Sequence, residues 1–187
     1  MAVRSRSKTR DERQPRERKP REERPPPPPI DAAALDDMAL RYVGKYATTA
    51  AKLQRYLGRK LWERGWAGPG EVPTVAVVAR CVERGYVDDR VFGEAKARGL
   101  ASKGFGRMRV GQALGAAGLE RDLAREISDT VDNASAAEAL ARRRRFGPYD
   151  RLPFDIDRHR KQVGAMLRAG HDMATVRSVL KREPEED

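Results

Sequence analysis

Apolar side chains return along this chain at the three- and four-residue spacing of α-helices that bury one face. Leu35, Met38, Ala39, Tyr42, Val43 and Tyr46 form one such stripe, and Leu53, Tyr56, Leu57 and Leu61 form the next. Thr48 or Thr49 can cap the second helix, since a hydroxyl there accepts from an orphaned backbone N–H. Val75, Val78, Cys81 and Val82 predict a third helix that ends near Gly85. The β-branched stretch from Val72 to Val82 also suits a strand, but its valines share a helical face. The order then recurs. Phe92, Ala95, Gly99 and Leu100 open a second set, followed by Val110, Ala113, Leu114 and Ala117, then Leu123, Ile127 and Val131. A third set carries Ala137, Leu140 and Ala141, then Ile156, Val163, Met166 and Leu167, and closes with Met173, Val176, Val179 and Leu180. Ser135-Ala136-Ala137-Glu138 has the spacing of a capping box. Nothing alternates with period two over a useful length, so no sheet is expected.

A short phrase gives these sets a common period. Leu61-Trp62-Glu63-Arg64-Gly65-Trp66 is echoed by Leu114-Gly115-Ala116-Ala117-Gly118-Leu119 and by Met166-Leu167-Arg168-Ala169-Gly170-His171. The glycines are spaced 53 residues (65 to 118) and 52 residues (118 to 170) apart. A helix that ends against a tight turn often needs a left-handed residue, which glycine supplies. Self-similarity at a fixed period is the signature of stacked units. The expected fold is all-α: three tandem three-helix repeats over 31–85, 86–132 and 133–187, forming an elongated, curved array.

Charge adds an electrostatic constraint. The formal net charge is +11 over 187 residues, so polyanions or acidic protein surfaces are the natural partners. Residues 1–30 hold ten Arg and Lys against five Asp and Glu and end in Pro25 to Pro29. Such a segment is too polar and proline-rich to bury a core, and a disordered basic tail is expected. It has no apolar signal region, and no run of eighteen apolar residues follows, so export and membrane insertion are not expected. The lone Cys81 cannot form an internal disulfide and fits a reducing cytoplasm.

The stretch Gly85-Tyr86-Val87-Asp88-Asp89-Arg90-Val91-Phe92, the element Lys103-Gly104-Phe105-Gly106-Arg107-Met108-Arg109-Val110 and the run from Leu114 to Leu119 closely resemble the RecX family of recombination regulators. The resemblance covers roughly residues 35 to 182. Members of that family are all-helical arrays of three three-helix repeats and are not known as enzymes. The resemblance implies a protein that binds the RecA recombinase, lodges in the groove of its filament on single-stranded DNA, and modulates, mostly by inhibition, filament growth, ATP hydrolysis and strand exchange. Two departures stand out. The turn after Gly65 is expanded to Ala67-Gly68-Pro69-Gly70-Glu71-Val72-Pro73, and Arg107-Met108 stands where a proline is common.

Such a task needs a long charged surface rather than a pocket, and contact with several filament subunits at once would raise apparent affinity. Lys96, Arg98 and Lys103 end one helix and Arg107 and Arg109 open the next, which predicts a cationic cluster around one Gly-rich corner. Arg142, Arg143, Arg144 and Arg145 form a second candidate run, part of which must turn inward or lie on apolar neighbours. Catalytic motifs are weaker. Asp88 and Asp89 read as helix caps rather than metal ligands. Gly104-Phe105-Gly106 lacks the Lys-Ser/Thr and the strand of a phosphate loop and reads as a hinge. His159 and His171 have no ligand constellation, and His171 fills the packing position of Trp66 and Leu119. Trp62 and Trp66 read as core. No cofactor or metal is expected, and nothing demands more than a monomer.

The competing reading is a direct DNA-binding protein of helix-turn-helix type acting without RecA. Its recognition helix should carry groove-reading cations or amides, yet Glu120-Arg121-Asp122-Leu123-Ala124-Arg125-Glu126 is nearly neutral. That disfavours sequence-specific readout and leaves weak, salt-sensitive, non-specific DNA binding.

Overall fold

A computed structural model describes residues 27–181; 1–26, most of the expected tail, and 182–187 lie outside the described residues. The described chain is helical throughout, with no strand among those residues beyond one isolated bridge. In chain order the helices are α1 (Ala32–Lys45), α2 (Ala50–Arg64), α3 (Thr74–Glu83), α4 (Asp89–Ala101), α5 (Arg107–Ala117), α6 (Arg121–Asp129), α7 (Asn133–Arg144), α8 (Ile156–Arg168) and α9 (Met173–Lys181). A 3-10 turn, Gly147–Tyr149, lies between α7 and α8.

Buried apolar side chains fall into three clusters. Leu35, Leu53, Leu57, Val77, Val78 and Cys81 join α1, α2 and α3. Ala97, Val110, Leu114, Ala124 and Ile127 join α4, α5 and α6. Ala137, Leu140, Met166, Val176 and Leu180 join α7, α8 and α9. Full burial of a leucine or valine contributes about 1.5–3 kcal/mol, so these stripes hold each triplet of helices together. Burial also pushes the Cys81 thiol above its ordinary pKa. The Val72 to Val82 stretch is helical from Thr74 onward, as its periodicity predicts. Gly65, Gly118 and Gly170 all have positive φ, at 79°, 88° and 93°.

Several faces differ from those predicted. In α3 the inward stripe is Val77, Val78 and Cys81, while Val75 is 71% exposed and Val82 also faces out. Valines stand on both sides of this short helix, so periodicity alone could not choose between them. In α4, Gly93 and Ala97 are buried and Ala95 and Gly99 are exposed. A Cβ at Gly93 would lie 2.6 Å from Ile127 Cδ1 and 2.7 Å from Leu119 Cδ2, so here a glycine marks close helix approach. Tyr46, Ile156, Leu167 and Met173 are exposed, and Trp62, expected in the core, is 87% exposed. Trp66 does pack against the first cluster. The capping-box reading also fails: Asp132 is the N-cap of α7, accepting from the backbone N–H groups of Ala134 and Ser135, and Ser135 Oγ donates to it at 2.6 Å.

The expected tail boundary moves as well. Ile30, placed at the end of a tail without packed contacts, is fully buried in the first cluster. Its N–H donates to Gly65 O at 3.0 Å and its carbonyl accepts from Ala67 N at 2.9 Å. The Arg64 guanidinium also donates twice to Pro28 O. An apolar residue after a proline run can close the open end of a core, and Ile30 does so here.

Candidate functional site

The helix ends fix where charge can gather. Arg107 and Arg109 are two residues apart on α5, about 200° around a helix of 3.6 residues per turn, so they point to opposite sides. Arg107 reaches Asp172 at 3.4 Å and lines a cleft with Met108, Arg121 and Arg125. Arg98 pairs with Glu94 at 3.9 Å beside Arg90 and Glu126 in a second cleft. There Arg90 and Glu126 form a two-pronged ion pair at 2.8 and 2.9 Å, whose hydrogen bonds hold the Glu126 carboxyl below its usual range. Lys96 and Arg109 meet in a third cleft, with Lys52, Gln112, Ala113, Ala116 and Ala117. Four of the five predicted cations therefore spread over three clefts instead of sharing one corner.

Lys52 was not among the predicted residues. Burial, then the charges of Lys96 and Arg55, lower its pKa from the ordinary lysine value. Its ammonium lies 4.5 Å from the centroid of the Phe92 ring, and that of Lys96 lies 5.9 Å away. The sequence signal was present: a lysine in the first turn of a helix sits at the positive end of the macrodipole, where cations are disfavoured.

The second candidate run closes α7. Arg142 lies over the Tyr149 ring at 5.3 Å and contacts Glu138 at 3.3 Å, so it rests on an apolar neighbour as predicted. Arg143 donates to Lys103 O at 2.6 Å, which ties this run to the turn after α4. Arg144 and Arg145 are exposed, and Arg145 caps the helix with φ at 56°, an uncommon left-handed conformation for a side chain of its size.

The Gly104-Phe105-Gly106 element is a packed joint and not the expected hinge. Gly106 N donates to Ala169 O at 2.9 Å and Met108 N to Gly170 O at 3.3 Å. A Cβ at Gly106 would strike Gly170 O and Asn133 Oδ1, and one at Gly170 would strike the backbone of Arg109. The Arg107 N–H, orphaned at the start of α5, donates at 3.2 Å to Asn133 Oδ1 from the first residue of α7.

A second joint has the same plan. Thr49 caps α2 through Lys52 N at 3.1 Å and donates to Ala117 O at 2.8 Å, while Ala50 N donates to Asp89, the first residue of α4, at 2.8 Å. A Cβ at Gly118 would approach Ala51 Cβ to 2.5 Å. Asp88 caps its own helix through Val91 N at 2.9 Å, so both members of the Asp88-Asp89 pair hold helix starts.

His171 completes the first of these joints. It is 1% exposed, with Nε2 3.1 Å from Gly104 O and Nδ1 3.1 Å from Asn133 Oδ1. Asn133 Nδ2 donates to Asp172 at 2.8 Å and to Thr175 Oγ1 at 3.1 Å. Burial lowers the His171 pKa, opposed in part by the Gly104 carbonyl and the Asp172 charge. The packing role expected for His171 holds. Among the described residues no group of three or more His, Cys, Asp or Glu stands together, and no helix is long and apolar enough to cross a membrane.

No protein-family model matches the chain. Among curated proteins, the regulatory protein RecX of Myxococcus xanthus (strain DK1622) is 28% identical over 168 residues, spanning 84% of this chain and 90% of that protein. The regulatory protein RecX of Stenotrophomonas maltophilia (strain R551-3) is 30% identical over 135 residues, or 71% of this chain and 79% of that protein. Agreement of that extent covers most of both chains. The chain belongs to the RecX family. Its relatives are named as regulatory proteins, and in this RecX-family chain the carboxylates and glycines that first suggested chemistry are instead spent on caps and joints.

Proposed function

We propose that this chain binds the RecA recombinase assembled on DNA and modulates, mostly inhibits, filament extension, ATP hydrolysis and strand exchange. The observation that carries the reading is the match to regulatory proteins of the RecX family over most of both chains. We infer further that the protein acts as three three-helix repeats, 31–85, 86–132 and 133–187, in an elongated, curved array. The three core clusters and the two joints of common plan support this. Units repeated along an axis can contact successive subunits of a helical filament, which raises apparent affinity without any single strong site. Lys96, Arg98, Lys103, Arg107 and Arg109, with Arg142 to Arg145, supply positive charge toward acidic protein surface and DNA phosphate. The protein acts as a cytoplasmic monomer in this reading.

The test is RecA's single-stranded-DNA-dependent ATP hydrolysis during titration with this protein. Inhibition at well below one copy per RecA is expected; hydrolysis unchanged at equimolar protein would overturn the reading. Charge reversal at Arg107 and Arg109 should weaken that inhibition with helical content retained, and full inhibition by the variant would remove these residues from the contact.

A further inference from the structure

The cleft between α2, α4 and α5 collects positive charge that no ion pair among the described residues neutralises. Lys52 and Lys96 stand over one Phe92 ring, at 4.5 and 5.9 Å from its centroid, and Arg109 lines the same cleft. Arg55 adjoins it, with its guanidinium 3.4 Å from Ala117 O. No carboxylate lines the cleft, and none of these four cations is ion-paired among the described residues. Lys52 and Arg109 are each the third residue of a helix, where the macrodipole is positive and anions are favoured. Like charges gathered at two such ends are unfavourable unless an anion lies among them.

We propose that this cleft is a site for the sugar–phosphate backbone of a single nucleic-acid strand. Its floor is Ala113, Ala116 and Ala117, so a narrow backbone can approach between cationic walls. The alanine floor offers no pocket for the aromatic or Arg anchors that dominate protein–protein contacts. Gln112 is the one uncharged polar side chain among the lining residues, which leaves little for reading base edges and makes the binding sequence-independent. The inference deepens the function proposed above by giving the filament's DNA to this cleft, and rests on that reading only for the source of the strand.

The experiment measures binding of the full chain to fluorescein-labelled oligothymidylate by anisotropy between about 50 and 200 mM NaCl, a range over which phosphate contacts lose affinity steeply. The wild-type protein is compared with Lys52→Gln/Lys96→Gln and with Arg151→Gln/Lys161→Gln, which removes the same charge from exposed cations elsewhere. The cleft variant should lose about tenfold or more in affinity, and its salt slope should flatten by roughly 1.4, the counterion release of two single-strand contacts. The control should stay within about threefold of wild type on the loss of non-specific charge alone. Circular dichroism should be the same for all three. Absence of wild-type binding at the lowest salt, equal affinity of the cleft variant, or an equal loss in the control would overturn the proposal. A larger loss for polyglutamate than for oligothymidylate would give the cleft to an acidic protein and overturn it too. The wild-type effect on RecA ATP hydrolysis reports separately on the parent reading, so the two can fail independently.

Discussion

At the scale of single residues, the structure is governed by glycines at close approaches and by one buried histidine. The period of Gly65, Gly118 and Gly170 announced a left-handed turn at each, and each has positive φ. What a lone glycine could not announce was the neighbour, because that depends on which helix start lies opposite. Gly118 faces Ala51, across the second joint. Gly118→Val should therefore incur both left-handed strain and a clash, a loss of about 2 kcal/mol or more in denaturant unfolding. An unchanged midpoint would show that the turn tolerates a branched side chain. His171 supplies a pH test. Its folded pKa is lowered from the ordinary 6.5, chiefly by burial. The folded state thus binds fewer protons than the unfolded chain, and the stability from a neutral ring is complete above the unfolded value and lost as pH falls below it. Melting temperature should fall from pH 7.5 to 5 in the wild type, and the fall should be shallower in His171→Gln. Parallel slopes would mean that the ring titrates alike in both states.

At the scale of elements, helix existence was legible and helix orientation was less so. Long stripes such as Leu53 to Leu61 had one apolar side and were read correctly. Helices α3 and α4 carry small or β-branched residues on several sides, so their true faces were set by packing that the sequence does not display. Caps reached across the chain for the same reason. Asp89 is the first residue of α4 but satisfies the first N–H of α2, and Asn133 does the same for α5 from α7. Asp89→Ala should cost about 0.5–2 kcal/mol, the usual range for loss of a helix cap. Denaturant unfolding can check this, and hydrogen exchange should show the first turn of α2 opening faster. If exchange rises only within α4, the carboxylate serves its own helix and the cross-cap is not a stabilising contact. The candidate surface was half legible: runs of arginine are conspicuous, whereas Lys52 joins Lys96 and Arg109 only through the meeting of α2, α4 and α5.

At the scale of the whole molecule, Thr49 and Ala50 link α1–α3 to α4–α6 by hydrogen bonds, Gly106 and Met108 link α4–α6 to α7–α9, and Ile30 closes the first cluster. In a linear array, stability is the sum of unit terms and nearest-neighbour interface terms, so damage should spread no further than the coupling allows. Ile30→Ala removes a fully buried side chain from the α1 to α3 cluster, which should destabilise it by about 2–5 kcal/mol. Amide exchange should then quicken in α1 to α3 and remain at wild-type rates in α7 to α9. Gly106→Val attacks the other end, because any side chain there meets Gly170 O and Asn133 Oδ1. It should raise exchange in α7 to α9 and in the first turn of α5, while α1 to α3 keep their protection. A uniform rise across α1 to α9 in both variants would mean that the described chain unfolds as one unit, and that the joints couple the clusters too strongly for an array of separable repeats.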